Sequence, residues 1–193
     1  MNMTNTERPF SWEPLGRVAV FVDAANAIYS LRDLGWRIDY KKLRGFFKSN
    51  TELIDTYFYI AHFDDDLGRK NLLEMLSRKG FVIRSKPVKN ISKQGGGVLH
   101  KANCDVEIAM DVMTTYQTFD TAVLMSGDSD FLPLIEFLQS QGKKVIVIST
   151  RGHVAKEVVK AADKFFHFGF FRAEWELLPT QNQGAPKGSR SRF

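Results

Sequence analysis

Acidic residues follow directly after two apolar segments of the chain. Asp23 ends the run 17–22 (RVAVFV), and Asp128 and Asp130 come shortly after the run 121–125 (TAVLM). Both runs are short and rich in β-branched residues, which is typical of buried strands. In open parallel sheets the carboxyl ends of the strands share one edge, where ligands bind. The three carboxylates are therefore expected to converge at that edge.

Two further carboxylates lie on the helix predicted ahead of the second strand. Asp105 stands in its first turn, and Asp111 lies two turns further on. Several carboxylates at one sheet edge repel each other unless a cation lies between them. Carboxylate oxygens suit hard ions, whereas four scattered histidines and a single cysteine do not suggest a zinc site. The pattern therefore predicts a Mg²⁺ or Mn²⁺ site.

Each of these residues also has a purely structural interpretation. Asp and Ser often cap the helix that follows a strand, so Asp130, ahead of Pro133, is a candidate N-cap. Asp105, in the first turn of a helix, stabilises that helix through the helix dipole, and this role needs no metal. For one residue alone, capping is the simpler explanation, and the predicted metal site depends on the residues taken together.

The segment between Met75 and Cys104, here called the basic segment, contains no acidic residue. A solvated face normally mixes charges of both signs, so this segment predicts an anion-binding surface. Its glycine triplet, 95–97, offers unhindered backbone N–H groups to phosphates. The alternative is a surface loop whose lysines only aid solubility. The candidate contacts are Arg84, Lys86, Lys89, Lys93 and Lys101.

Length and composition limit the class of protein. The chain has 193 residues, 44% of them hydrophobic and 25% charged, and a net charge of +5, as expected for one globular domain. The basic balance suits a nucleic-acid partner without proving one. One cysteine excludes a disulfide framework and suits a reducing compartment.

Residues 1–15 contain no apolar signal sequence, and no apolar run of the chain is long enough to span a bilayer. We therefore predict a cytoplasmic protein that does not enter membranes. We expect an N-terminal extension over 1–15, one domain over 16–178 and a disordered basic tail over 179–193, where hydrophobic periodicity is lost.

Strand-like and helix-like segments alternate along this domain. The predicted strands cover 17–22, 53–61, 81–84, 121–125, 145–148 and 165–171. The predicted helices cover 24–34, a short stretch after Asp39, 67–78, 102–116, 131–140 and 154–162. The alternation predicts a doubly wound α/β domain, with a mostly parallel sheet and helices on both faces. Residues 85–99 are expected to form a loop or flexible ribbon. The expected core stripe of helix 102–116 is Val106, Ala109, Met110 and Met113.

Four ordered motifs carry a resemblance to a known family. They are FVDAAN at 21–26, KANCDVEIAMD at 101–111, SGDSDF at 126–131 and ADKF at 162–165. Together they resemble the NYN domain of the LabA-like branch of the PIN-like nuclease superfamily, from about Arg17 to Phe168. Any one motif alone would be weak, whereas the ordered set is specific.

The resemblance implies a Rossmann-like PIN fold with an acidic ribonuclease site that depends on Mg²⁺ or Mn²⁺. It implies that Asp23, Asp105 and Asp128 are the catalytic, metal-binding carboxylates. The implied supporting residues are Asn26, Asp111, Ser126 and Asp130. The chain departs from the family pattern at Asn103 and Cys104, where small residues are usual.

The predicted function is therefore endonucleolytic cleavage of single-stranded or flexible RNA, without an organic cofactor and with homo-oligomerisation left open. One alternative is a catalytically weak RNA-binding module of the same fold, although a pure binder has no use for mutually repelling carboxylates. Another is a metal-dependent phosphatase, which would carry a second acid two residues after the strand-end aspartate. Ala25 stands there instead.

Overall fold

The structure of the chain is a computed structural model that describes residues 15–62, 67–92, 98–101 and 103–178. The predicted extension, apart from Leu15, and the predicted tail lie outside the described residues, as do Lys93 and the glycine triplet. Within the described part of the chain, no helix is both long enough and apolar enough to cross a bilayer.

Strands and helices alternate as predicted. The strands are β1 (Arg17–Asp23), β2 (Glu52–His62), β3 (Val82–Pro87), β4 (Lys89–Ser92), β5 (Val98–Lys101), β6 (Thr121–Met125), β7 (Lys144–Ser149) and β8 (Lys164–His167). The helices are α1 (Ala24–Leu34), α2 (Tyr40–Asn50), α3 (Leu67–Arg78), α4 (Asp105–Thr115), α5 (Leu132–Ser140), α6 (Lys156–Ala161) and α7 (Arg172–Trp175).

Six of these strands form one parallel sheet in the order β3-β2-β1-β6-β7-β8. The predicted α/β fold is therefore confirmed. Successive strands move outward on one side from β1 to β3, and on the other side from β6 to β8. The strand order reverses between β1 and β6, and a crevice opens at the carboxyl ends of strands at such a reversal.

Helices cover both faces of the sheet because successive strand side chains point in opposite directions. On β1, Val18, Val20 and Val22 pack into a core that includes residues of α1, α2, α3 and α7. Ala19 and Phe21 point to the other side, into a core with α4, α5 and α6. Both faces of the central strand are therefore buried, which explains its nearly unbroken apolar sequence.

Helix α4 buries a different face from the one predicted. Ile108 and Val112 are fully buried, whereas Val106, Met110 and Met113 are 68%, 56% and 49% exposed. The predicted core stripe was therefore wrong, apart from the half-buried Ala109. Apolar residues surround this helix, so hydrophobic periodicity could not select the buried face.

The described residues of the segment 85–99 form strands, which agrees with the predicted ribbon rather than with the predicted loop. Strand β3 continues to Pro87 alongside β2, and β4 and β5 then pair as an antiparallel ribbon separate from the main sheet. The predicted last strand is shorter than expected, because β8 ends at His167 and the 3₁₀ turn Phe168–Phe171 follows.

Candidate functional site

Three carboxylates meet at the crevice between β1 and β6. One oxygen from each of Asp105, Asp128 and Asp130 lies within 4.8 Å of the others. We call these three residues the acidic cluster. Asp105 is the first residue of α4, whereas Asp128 and Asp130 lie in the turn that follows β6. The cluster therefore joins two segments that are distant in sequence.

The turn after β6 determines the positions of two members of the cluster. Asp128 Oδ1 accepts a 3.0 Å hydrogen bond from the backbone N–H of Asp130 and caps the 3₁₀ turn Ser129–Phe131. The candidate cap is thus Asp128 rather than Asp130. Both carboxylates are exposed. Because only one oxygen of Asp128 serves as the cap, this role is compatible with metal binding.

Asp23 lies beside the acidic cluster at the end of β1. Its Oδ1 accepts hydrogen bonds from the backbone N–H groups of Ala25 and Asn26, at 3.1 and 3.2 Å, and so caps α1. Its Oδ2 accepts a 3.0 Å bond from the hydroxyl of Ser126. Burial raises the pKa of Asp23, and the charge of Asp128 raises it further. Asp23 is therefore engaged with its own helix and with the β6 turn, next to the exposed carboxylates.

The site carries an excess of negative charge. Burial, and after it repulsion from Asp23, Asp128 and Asp130, raises the pKa of Asp105 to about 6. The positive charge of Lys86 lowers the pKa of Asp105, but by less than burial and repulsion raise it. The side-chain amide of Asn103 donates a hydrogen bond to Asp105 Oδ2. A cation bound between these oxygens would remove the repulsion, and an all-oxygen donor set suits Mg²⁺ or Mn²⁺.

Asn26 connects α1 to the neighbouring strand β7. Its side-chain oxygen accepts a 3.2 Å hydrogen bond from the hydroxyl of Ser149, which also lies 3.3 Å from the carbonyl oxygen of His153. The predicted supporting residues Asn26 and Ser126 therefore both lie at the carboxyl edge of the sheet. They support the crevice by holding α1, β6 and β7 together.

Asp111 lies away from the acidic cluster, about 9 Å along α4 from Asp105 at the rise of an α-helix. Its carboxylate accepts two hydrogen bonds from Arg84, at 2.9 and 3.1 Å, and one from the hydroxyl of Tyr59 at 3.0 Å. Burial raises the pKa of Tyr59, and Asp111 raises it further, so the phenol remains a donor. Asp111 thus connects α4 to β2 and β3.

Two of the cations predicted to bind RNA pair with acids of α4. Arg84 pairs with Asp111, as described above, and Lys86 Nζ lies 2.8 and 2.9 Å from the two carboxylate oxygens of Glu107. These ion pairs place part of the positive charge of the basic segment against the helix that carries Asp105. Arg84 and Lys86 therefore have a structural role, and their contact with RNA stays a prediction.

The remaining predicted cations lie in or near the ribbon. Lys89 and Lys101 occupy opposing positions in the β4–β5 ladder, and Lys93 lies outside the described residues. Contact of these lysines with phosphates stays a prediction.

Three residues of this region were not assigned to the site by the sequence. From the sequence, Asn103 is named only as a departure from the family pattern, and no role is given to Glu107 or Tyr59. The acid-free basic segment followed by two acids in the first turn of α4 could have indicated cross-pairing. The sequence contains no local signal for the contact of Tyr59 with Asp111, because it crosses 52 positions of the chain.

Comparison with known proteins identifies related sequences. The model of the NYN domain family matches residues 17–169. The low amplitude and bright protein LabA of Synechococcus elongatus is 30% identical over 161 residues, which cover 81% of this chain and 86% of that protein. An uncharacterised protein of Methanocaldococcus jannaschii is 24% identical over 158 residues, covering 77% of this chain and 57% of that protein.

A solved structure has the same fold. The crystal structure of a protein of unknown function from Vibrio parahaemolyticus superposes with a TM-score of 0.68 at 23% sequence identity. The superposition covers 87% of this chain and 100% of that chain. At this level of identity the similarity supports the fold alone.

Proposed function

The chain belongs to the NYN domain family, and we propose that it is a metal-dependent endoribonuclease of the PIN-like type. The acidic cluster carries the proposal. At the crevice of a doubly wound sheet, three carboxylates have oxygens within 4.8 Å of one another. Their negative charges repel one another unless a cation binds between them.

The donor set fits Mg²⁺ or Mn²⁺. Asp105, Asp128 and Asp130 would hold the ion. Asp23, the third ligand predicted from the sequence, lies beside them and would add a fourth carboxylate to the site. A divalent ion bound there supplies activation of water and offsets the charge that develops on phosphoryl oxygens. This is the chemistry that hydrolysis of a phosphodiester requires.

The chain's own residues orient this site. Ser126 holds Asp23, and Asn103 holds Asp105, each by a hydrogen bond to one carboxylate oxygen. The ribbon, with Lys89 and Lys101 in register, would attract the phosphates that flank the cleavage point. Single-stranded or flexible RNA is the proposed substrate, because an exposed cluster at a sheet edge admits a bent backbone.

The test is cleavage of an unstructured RNA by the purified full chain, with Mg²⁺, with Mn²⁺ and with chelator. Asp128→Asn should lower the cleavage rate by orders of magnitude and preserve RNA binding, because the phosphate contacts lie on the basic segment. Asp23→Asn should behave in the same way. Asp39→Asn is the matched control, since Asp39 caps α2 through two backbone N–H groups, as Asp23 caps α1, but lies outside the acidic cluster.

Cleavage that persists in chelator, or an Asp128→Asn protein that cleaves at the wild-type rate, would contradict the proposal. RNA binding without divalent-dependent cleavage would favour the binding module instead. Release of phosphate from small esters, with RNA left intact, would favour the phosphatase.

A further inference from the structure

A pocket of about 570 Å³ lies between α4 and α5 and opens beside the acidic cluster. Asp105 and Asp130 line one end of it together with Asn103. Two members of the acidic cluster therefore belong to both features. The volume falls within the range of ordinary small-molecule sites, about 300–1,000 Å³.

The rest of the pocket wall is apolar. Val106, Ala109 and Met113 line it from α4, and Leu134 and Phe137 from α5. On α4 this wall extends about 10 Å, at the rise of 1.5 Å per residue. Side chains that face solvent at such a wall mark a binding surface rather than a core.

One side of the pocket wall is packed against the rest of the protein. The ring of Phe137 packs edge-to-face against Tyr116, with ring centres 5.4 Å apart. Leu134 is 8% exposed and belongs to the core beneath the pocket. The α5 side therefore keeps its shape, whereas Met113, with its long flexible side chain, can adjust to a ligand on the α4 side.

We propose that this pocket binds a nucleobase of the RNA strand, next to the phosphate that is positioned at the acidic cluster. The inference rests on the proposed function and adds a base-binding subsite to it. A base has two apolar faces and a polar edge, which match an apolar wall closed at one end by an amide and carboxylates. A strand with its phosphate at the cluster carries a base within one nucleotide of it.

The experiment compares pocket variants on an RNA whose cleavage point has been mapped with the wild-type protein. Ala109→Phe, which fills the pocket, should lower kcat/KM about tenfold, the order of one lost base contact. Met113→Ala should lower it less, mainly through KM. Met110→Ala is the matched control, because Met110 is exposed on the same helix but does not line the pocket. Melting temperatures of the four proteins establish that each variant is folded.

Two further RNAs make the test specific. One lacks the base on the 5′ side of the cleavage point, and the other lacks the base on the 3′ side. Wild-type protein should lose about tenfold in kcat/KM on one of these abasic RNAs, and Ala109→Phe should cause no additional loss there. If Ala109→Phe does not fold, Met113→Ala on the same RNA pair decides the question. Equal kinetics for the pocket variants and Met110→Ala would overturn the base-binding subsite while leaving the proposed nuclease intact. Absence of cleavage by the wild-type protein would instead overturn the proposed function.

Discussion

The guanidinium of Arg84 donates two hydrogen bonds to the carboxylate of Asp111, at 2.9 and 3.1 Å. Arg84 lies on β3, and Tyr59, the third partner of the group, lies on β2. The middle of α4 is thereby attached to the edge of the sheet. Asp105 begins the same helix, so these contacts connect the helix that carries Asp105 to the sheet, and the supporting role of Asp111 at the site stays a prediction.

Asp111→Ala should lower the free energy of unfolding by about 1–3 kcal/mol, because it leaves Tyr59 and Arg84 without their common acceptor. Urea denaturation would measure the change. Glu74→Ala is the control, since Glu74 pairs with Arg78 at 3.4 Å on an exposed helix surface and should cost under about 1 kcal/mol. Equal losses for the two variants would contradict the structural role of Asp111 between α4, β2 and β3.

In the metal-free protein, Asp105 should lower stability as pH rises. Its pKa is raised from 3.8 to about 6. Between these two pH values the folded protein keeps a proton that the unfolded chain releases, so the free energy of unfolding falls as the pH rises. Above the pKa of the folded protein the free energy of unfolding stays at this lower level. In chelator, Asp105→Asn should therefore melt above wild type at about pH 8, with a smaller difference at about pH 4.5. The effect should be modest, since solvent screens a half-buried group.

Adding Mg²⁺ at the higher pH should raise the melting temperature of the wild-type protein more than that of Asp105→Asn, because binding to the folded state alone stabilises it. If Asp105→Asn melts below wild type in chelator at about pH 8, the charge of Asp105 does not destabilise the folded protein and the prediction is wrong.

Gly127→Ala should disturb the turn that carries Asp128. A Cβ atom at Gly127 would lie 1.9 Å from the carbonyl oxygen of His153 and 2.6 Å from Val154 Cα, both of them backbone atoms. The two segments must separate, at a cost of about 1–3 kcal/mol. We also expect a smaller Mg²⁺-induced rise in melting temperature. Gly152→Ala is the control, because a Cβ there meets no atom within 4 Å. Equal melting curves would refute this prediction.

Replacing Lys86, Lys89 and Lys93 together by Ala should weaken RNA binding and flatten its dependence on salt, since fewer counterions are released. Lys86→Ala alone should contribute least, because Lys86 pairs with Glu107 at 2.8 Å. Affinity measured at several salt concentrations tests this. Lys48→Ala, on α2 at the opposite face of the sheet, should leave the slope unchanged. An unchanged slope in the triple variant would mean that these lysines serve only solubility.

Local sequence determined most of the elements. The β-branched run before Asp23 forms β1, and Gly35 ends α1 with a φ of 73°, a conformation that favours glycine. Asp39 begins α2, as its cap position predicted. These features depend on neighbours within a few residues, so a single sequence carries them. The family motifs identified which acids along the chain belong to the site. The metal-binding role of Asp23, Asp105 and Asp128 stays a prediction.

Tertiary structure alone decided which of those acids meet. The strand order puts β1 beside β6, and the turn after β6 brings Asp130 to Asp105 and Asp128, whereas Asp111 pairs with Arg84. It also decided which face of α4 is buried, and hence that Met113 lines a pocket. Hydrophobic periodicity specifies that a strand or helix is buried, but not which distant segment buries it. That choice depends on the packing of the whole sheet against its helices.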